Sequence, residues 1–347
     1  MQYTHLGRTG LVVSRLCLGT MVFGPIRSEK EAHVMLDKAL ELGINFVDTA
    51  NMYGSKKFEG ETEKIIGNWL AQDGARREQI VLTTKVFGPM GHGVNERGLS
   101  AYHIRQACED SLRRLKTDHI DLYFMHHVDR GEPTPADKES WGLPDRQIYR
   151  PPHLKKETPW EEIWQAMELL VQQGKVLYVG SSNFAAWNIV QACEKAAARA
   201  FLGLTCEQSL YNLNNRTVEL EVMPACREYG LGFLAWSPLA VGLLAGKLPE
   251  GEIGRRRHLG EAIETHHDKL VAYEALCKEL GEKPADVALA WLLHNPVLTA
   301  PIIGPRTLEQ LAGSPRALDI NLDDEAMGRL DEIWPGPGGE APEAYAW

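Results

Sequence analysis

Leu16-Cys17-Leu18-Gly19-Thr20-Met21-Val22-Phe23-Gly24 is the stretch on which the fold turns. An apolar run over 16–19 ends in glycine and is followed by a segment of helical period over 29–42, so it reads as the first strand of a strand–helix unit. A doubly wound dinucleotide-binding sheet carries G-x-G-x-x-G at this point, where glycines let the backbone approach a pyrophosphate. Met21 stands where the second glycine belongs, so that reading fails.

Working outward, further apolar, β-branched runs fall at 45–48, 80–85, 120–125, 176–181, 204–208, 232–236 and 299–303. Amphipathic stretches lie between them at 61–71, 101–115, 159–173 and 185–198. Eight strands alternating with helices predict an α/β fold, a (β/α)8 TIM barrel, and 347 residues exceed the ~250 of a plain barrel. Most strands start about 30 residues apart, as βαβ units do, but two intervals are much longer. They place insertions at 129–157 and 237–267, after strands four and seven, in loops on the face where barrels carry their chemistry. An N-terminal β-hairpin, 3–6 with 11–14 around Gly7-Arg8-Thr9-Gly10, is expected to plug the bottom. The reading is one barrel domain over 1–334 and a C-terminal tail over 335–347, loose unless Tyr345 and Trp347 dock.

Composition narrows the partners. The chain is 44% hydrophobic and 24% charged, which is globular. Its 37 Lys and Arg against 47 Asp and Glu give a net charge of −10, which argues against nucleic acid, since phosphate binding needs a basic surface. No apolar segment of spanning length or signal peptide is read, so no membrane partner is expected. Six cysteines without C-x-x-C or zinc spacing read as reduced thiols, and the expected compartment is cytoplasmic. No interface stripe stands apart from helix–barrel packing, so no oligomeric state is assigned.

Polar groups at strand ends carry the chemistry. Strand two ends in Asp48 with Tyr53 five residues on, strand three ends in Lys85, and strand four runs into His126. Singly, such an Asp caps a helix, such a Lys faces solvent, and such a His is a satisfied rim residue. Together, on three consecutive strands at one face, they suit proton donation to a carbonyl oxygen. A phenol with a free pKa near ~10 is a poor acid, and a neighbouring ammonium lowers that pKa. Asp48 would hold Lys85, and His126 would orient the carbonyl. No metal site is read: His126 and His127 are adjacent and point to opposite sides of a strand. The glycine run at 242–248 imitates a P-loop but is a residue short.

The stretches Gly43-Ile44-Asn45-Phe46-Val47-Asp48-Thr49-Ala50, Tyr53-Gly54, Thr84-Lys85, Asp121-Leu122-Tyr123 with His126, and Gly180-Ser181-Ser182-Asn183-Phe184 resemble the aldo-keto reductases. Trp236-Ser237-Pro238-Leu239 and Ile303-Gly304-Pro305-Arg306-Thr307 continue the resemblance, which spans about 1–335. It implies NADPH-dependent reduction of a small-molecule aldehyde or ketone, with Tyr53 as proton donor and Asp48, Lys85 and His126 beside it. It implies that Ser182, Asn183 and Gln208 hold the nicotinamide carboxamide and Trp236 stacks on the ring. Gly19, Thr20, Met21, Ser237, Pro238, Leu239, Gly242 and Lys247 fall among the implied cofactor contacts, as do Gly304, Arg306 and Gln310. Arg306 can pair a 2′-phosphate bidentately, the reason to expect NADPH over NADH.

The sequence departs from the family in two places. The usual Glu-x-Asn adenine contact is replaced by Ala312-Gly313-Ser314-Pro315, and the insertion after His126 is long. Phe87, Trp141 and Tyr149 are the candidates to line or cap a substrate pocket. Two alternatives come with the resemblance: a nucleotide-linked keto-deoxysugar reductase, and a cofactor-sensing regulatory β-subunit with little turnover.

Overall fold

Strand alternation inside a closed sheet decides what faces the centre. The computed structural model describes residues 1–133, 135–145, 157–246 and 259–341. Among these, strands β1 (Tyr3–His5) and β2 (Val12–Ser14) form an antiparallel hairpin. Then come β3 (Cys17–Gly19), β4 (Phe46–Asp48), β5 (Val81–Val86), β6 (Ile120–Met125), β7 (Val176–Ser182), β8 (Leu204–Leu210), β9 (Gly232–Trp236) and β10 (Leu298–Ile303). These eight pair in parallel and close, β10 beside β3, into the expected barrel.

The barrel interior holds its own cluster: Leu6, Val13, Cys17, Phe46, Val81, Leu122, Phe124, Cys206, Leu234, Ala300 and Ile302, all buried. Side chains alternate along a strand with period two. Counting up from these residues in steps of two reaches Asp48 on β4, Thr83 and Lys85 on β5, His126 just past β6, Gln208 on β8 and Trp236 on β9. One inward-facing ring at the C-terminal ends of the strands therefore collects the candidate polar groups. Gly180 on β7 leaves room for the interior Phe124 ring, which a Cβ there would meet at 2.5 Å.

Leu6 and Val13 belong to the interior cluster, so the hairpin closes the opposite end. Gly7, at φ +53, lies so close that a Cβ would meet Gly232 N at 2.3 Å, and Arg8 N donates to Gly230 O. The larger core lies between the sheet and the helices, with Trp69 and Trp164 fully buried.

Helices form where capping and period agree. The helix Glu29–Glu41 starts at Ser28, whose hydroxyl accepts from Glu31 N while the Glu31 carboxylate accepts from Ser28 N, a reciprocal capping box. The first insertion carries a short helix, Pro135–Trp141, and the second carries Gly260–Thr265. Lys247, Tyr149, Tyr345 and Trp347 lie outside the described residues. The described part of the tail is docked. Arg227 forms a two-pronged pair with Glu340, at 2.6 and 2.8 Å, and Ala341 N donates to Leu220 O. The six cysteines are free and buried. Among the described residues, no helix is long and apolar enough to cross a membrane.

Candidate active site

The ring splits into an ionisable sector on β4–β6 and a neutral sector on β7–β9. In the first, the Lys85 ammonium is fully buried and donates to Asp48 Oδ2 at 2.6 Å, to Thr49 O at 2.8 Å and to Tyr53 Oη at 3.5 Å. It also lies 5.1 Å from the Tyr53 ring centre. Asp48 Oδ1 accepts from Thr83 Oγ1 at 2.8 Å and from Gln208 Nε2 at 3.0 Å. The Tyr53 and His126 rings meet edge to face at 6.0 Å. The four residues singled out from strand ends thus come together.

Charge and burial set their protonation. Burial alone would lower the Lys85 pKa, but Asp48 and Tyr53 outweigh it and hold the ammonium above its ordinary range. The expectation for Tyr53 needs correction. Burial raises its phenol pKa by more than the Lys85 charge lowers it, and the Asp48 charge adds to the rise. Tyr53 therefore keeps its proton through neutrality. Burial, then the charge of Lys85 and of His127, holds His126 well below its usual value, so it is a neutral imidazole. Its Nδ1 is buried and has no partner among the described residues. His127 is exposed and its ring stacks on His126 at 5.0 Å, so the two do not point to opposite sides as expected: both lie past the end of β6, where strand alternation no longer holds.

In the neutral sector, hydrogen bonds fix the two amides. Asp48 can only accept, so Gln208 must turn Nε2 toward it and keep Oε1 for other use. The Trp236 indole can only donate, and it donates to Asn183 Oδ1 at 3.0 Å. Asn183 Nδ2 then donates to His126 O at 3.2 Å and Ser182 Oγ at 3.0 Å. What remains is one acceptor, Gln208 Oε1, and one donor, the Ser182 hydroxyl. That pair complements a primary carboxamide, which offers N–H and C=O side by side. The residues present therefore fit the nicotinamide of the implied cofactor.

The other cofactor candidates among the described residues lie at the ends of β3, β9 and β10 or in the segments that follow them. Thr20 is buried and ties β3 to β4, donating to Asp48 O through both N, at 3.0 Å, and Oγ1, at 2.9 Å. Gly19 pairs with Asp48 in register, and Met21 is exposed. After β9, Ser237, Ala240 and Val241 all adopt positive φ, and Gly242 sits at φ +103. Left-handed conformations at non-glycine residues cost about 1–3 kcal/mol each and gather at functional loops. Ser237 Oγ accepts from Val241 N at 3.0 Å and stiffens this turn, which holds Pro238 and Leu239. Beyond β10, Gly304 is exposed and Thr307 caps a helix of only six residues, Leu308–Gly313. Gln310 Oε1 accepts from Arg306 N at 2.8 Å, so part of that amide is spent on shaping the Arg306 turn.

At the mouth, the Phe87 ring meets His127 at 5.5 Å, with the Arg97 guanidinium 5.6 Å from its centre. Trp141 packs on Phe58 at 6.2 Å, and Phe58 on His92 at 4.9 Å. Trp141 thereby ties the insertion to the loop that carries Tyr53.

The sequence reading missed the groups behind the ring. Glu63, fully buried, accepts from Thr84 Oγ1 at 2.6 Å and Arg114 Nε at 2.6 Å, bracing β5 at the residue before Lys85. Nor does the sequence alone mark Thr83, which faces the ring and bonds Asp48, or Glu207, which lies behind it. Their signal is polarity at alternate positions of apolar strands, legible once the inward face is known.

Comparison with known proteins agrees with this geometry. The aldo/keto reductase family model matches residues 15–335. The chain is 54% identical over 352 aligned positions, covering all of both chains, to a Bacillus subtilis (strain 168) protein named uncharacterized oxidoreductase YrpG. It is 33% identical, over 96% of each chain, to a probable voltage-gated potassium channel subunit beta of Oryza sativa subsp. japonica. It is 31% identical to Protein tas of Escherichia coli (strain K12), over 96% of this chain and 97% of that one. With its closed parallel barrel, its hairpin-plugged base and these matches, the chain belongs to the aldo/keto reductase family of oxidoreductases.

Proposed function

We propose that the protein reduces an aldehyde or ketone to an alcohol with NADPH, and that Tyr53 gives the proton. The observation that carries this reading is the buried Lys85 ammonium, held by Asp48 and within 3.5 Å of the Tyr53 hydroxyl. When bound, NADPH supplies a hydride to the carbonyl carbon.

The chain's own residues do the rest. Tyr53, protonated at neutral pH, hydrogen-bonds the carbonyl oxygen and transfers its proton as negative charge grows there. The Lys85 ammonium stabilises both that oxyanion and the phenolate left behind, in a site where burial strengthens the interaction. Neutral His126 helps to orient the carbonyl. Gln208 Oε1 and the Ser182 hydroxyl hold the carboxamide, Trp236 covers the ring, and the turn from Ser237 to Gly242 with Lys247 takes the pyrophosphate. Arg306 takes the 2′-phosphate, which favours NADPH over NADH.

Cofactor consumption by the purified chain over a panel of simple aldehydes, ketones and a nucleotide-linked keto-deoxysugar tests this. Turnover with NADPH and weaker use of NADH is expected. No consumption on any carbonyl would contradict it. The relative named as a potassium channel subunit supports a second reading, a cofactor-sensing subunit. Tight NADPH binding in a stable tetramer with negligible multiple turnover would favour that one.

A further inference from the structure

We propose that Glu207 is a positioning residue that braces the Ser182–Asn183 carboxamide seat from behind; this rests on the cofactor reading above. Glu207 precedes Gln208 on β8, so the two side chains leave opposite faces of the sheet. Gln208 enters the ring, while Glu207 lies fully buried between the sheet and the helices. A carboxyl group in that apolar layer is costly unless it is bonded.

Two of its partners, Ser181 and Phe184, flank one turn. Glu207 Oε1 accepts from Ser209 Oγ at 2.6 Å and from Phe184 N at 3.2 Å, and Oε2 pairs with Ser181 Oγ. Asn183 sits at φ +60, and its N–H donates to Gln208 O at 3.0 Å. Consecutive residues of β8 therefore hold the consecutive N–H groups of residues 183 and 184, one by its backbone and the other by its carboxyl. Without the carboxyl, Phe184 N would lose its partner, and of the two β8 bonds on this turn only that from Asn183 N to Gln208 O would remain to hold Asn183 in its left-handed conformation. Asn183 in turn holds Ser182 Oγ and receives the Trp236 indole. Burial pushes the Glu207 carboxyl up to about 7 against the pull of Ser181, Ser209 and the two backbone N–H groups, with no cation among those influences.

The test is NADPH binding to the full chain, followed by fluorescence, for wild type, Glu207→Ala and Glu207→Gln, with KM for NADPH and kcat measured alongside. Glu207→Ala should weaken NADPH binding and raise its KM about tenfold, the size of one lost buried hydrogen bond, while kcat at saturating NADPH stays within about threefold. Glu207→Gln, which still accepts from Phe184 N, should stay within about threefold of wild type. If Glu207→Ala does not fold, Glu207→Asp takes its place, too short to reach the turn, with about fivefold weaker binding expected. Folded Ala or Asp variants that bind NADPH within about twofold of wild type would overturn the inference alone, as would a loss confined to kcat. A wild-type chain that binds neither NADPH nor NADH overturns the cofactor reading, and this inference with it.

Discussion

The two halves of the ring work by opposite means. On β4–β6, full charges are buried and paired, Lys85 with Asp48, and their strength comes from the exclusion of water. On β7–β9, neutral amides, hydroxyls and an indole are locked by partners that can only donate or only accept. On the proposed reading, the first half would move a proton and the second would select and orient a neutral carboxamide. They meet in two bonds, Gln208 to Asp48 and Asn183 to His126 O. Each half is therefore held in part by the other.

Substitutions should separate the halves. The largest effect is expected from Lys85→Met. It leaves Asp48 buried without its cation, so urea melts should show about 3–5 kcal/mol lost stability. The rate should fall by about 10³, with NADPH binding much less affected. A Lys85→Met chain of near-wild-type rate would show that the ionisable half does not carry the proton chemistry.

Trp236→Phe removes the donor that fixes Asn183. It should weaken NADPH binding about tenfold with a smaller change in kcat. Equal losses in both would mean that the halves are not separable.

Glu207 gives the contrast a pH signature. Its folded-state pKa is raised to about 7 from 4.5, so the protonated carboxyl favours the folded state. That contribution is fully present below 4.5 and is lost as pH rises through 7. Relative to Glu207→Gln, which does not titrate, wild type should lose up to about 3 kcal/mol between about pH 4 and pH 8. Parallel stability curves for the two proteins would place the carboxyl in a different environment.

The smallest effect belongs to the mouth. Phe87→Ala should raise KM for bulky carbonyls by a few-fold and leave kcat and NADPH binding near wild type. An unchanged KM across the panel would remove Phe87 from the pocket wall.

Much of this was legible before the structure. Strand ends fell within a residue or two because β-branched runs and helical period alternate cleanly, and Asp48, Lys85 and His126 stood out as polar residues ending apolar strands. Tyr53 and Trp236 followed from the family resemblance and from their place beside those ends. What could not be read was set by three-dimensional partners. The raised phenol of Tyr53 depends on total burial, which a neighbour list in sequence does not contain. The orientation of Gln208 depends on a carboxylate 160 residues away in the chain. Glu207 looked like an ordinary strand residue until the inward face of β8 was known.

The most direct test of the central claim is single-turnover reduction by Tyr53→Phe, with NADPH binding measured on the same protein. We propose Tyr53 as the proton donor, protonated through neutral pH because burial raises its phenol above the ordinary range. Wild-type reduction should thus be level through neutrality and fall only at alkaline pH, where the phenol loses its proton. In Tyr53→Phe the chemical step should slow by about 10³ or more while NADPH binds within about threefold of wild type. A Tyr53→Phe chain that reduces carbonyls at near-wild-type rate would contradict the assignment of Tyr53 as the acid.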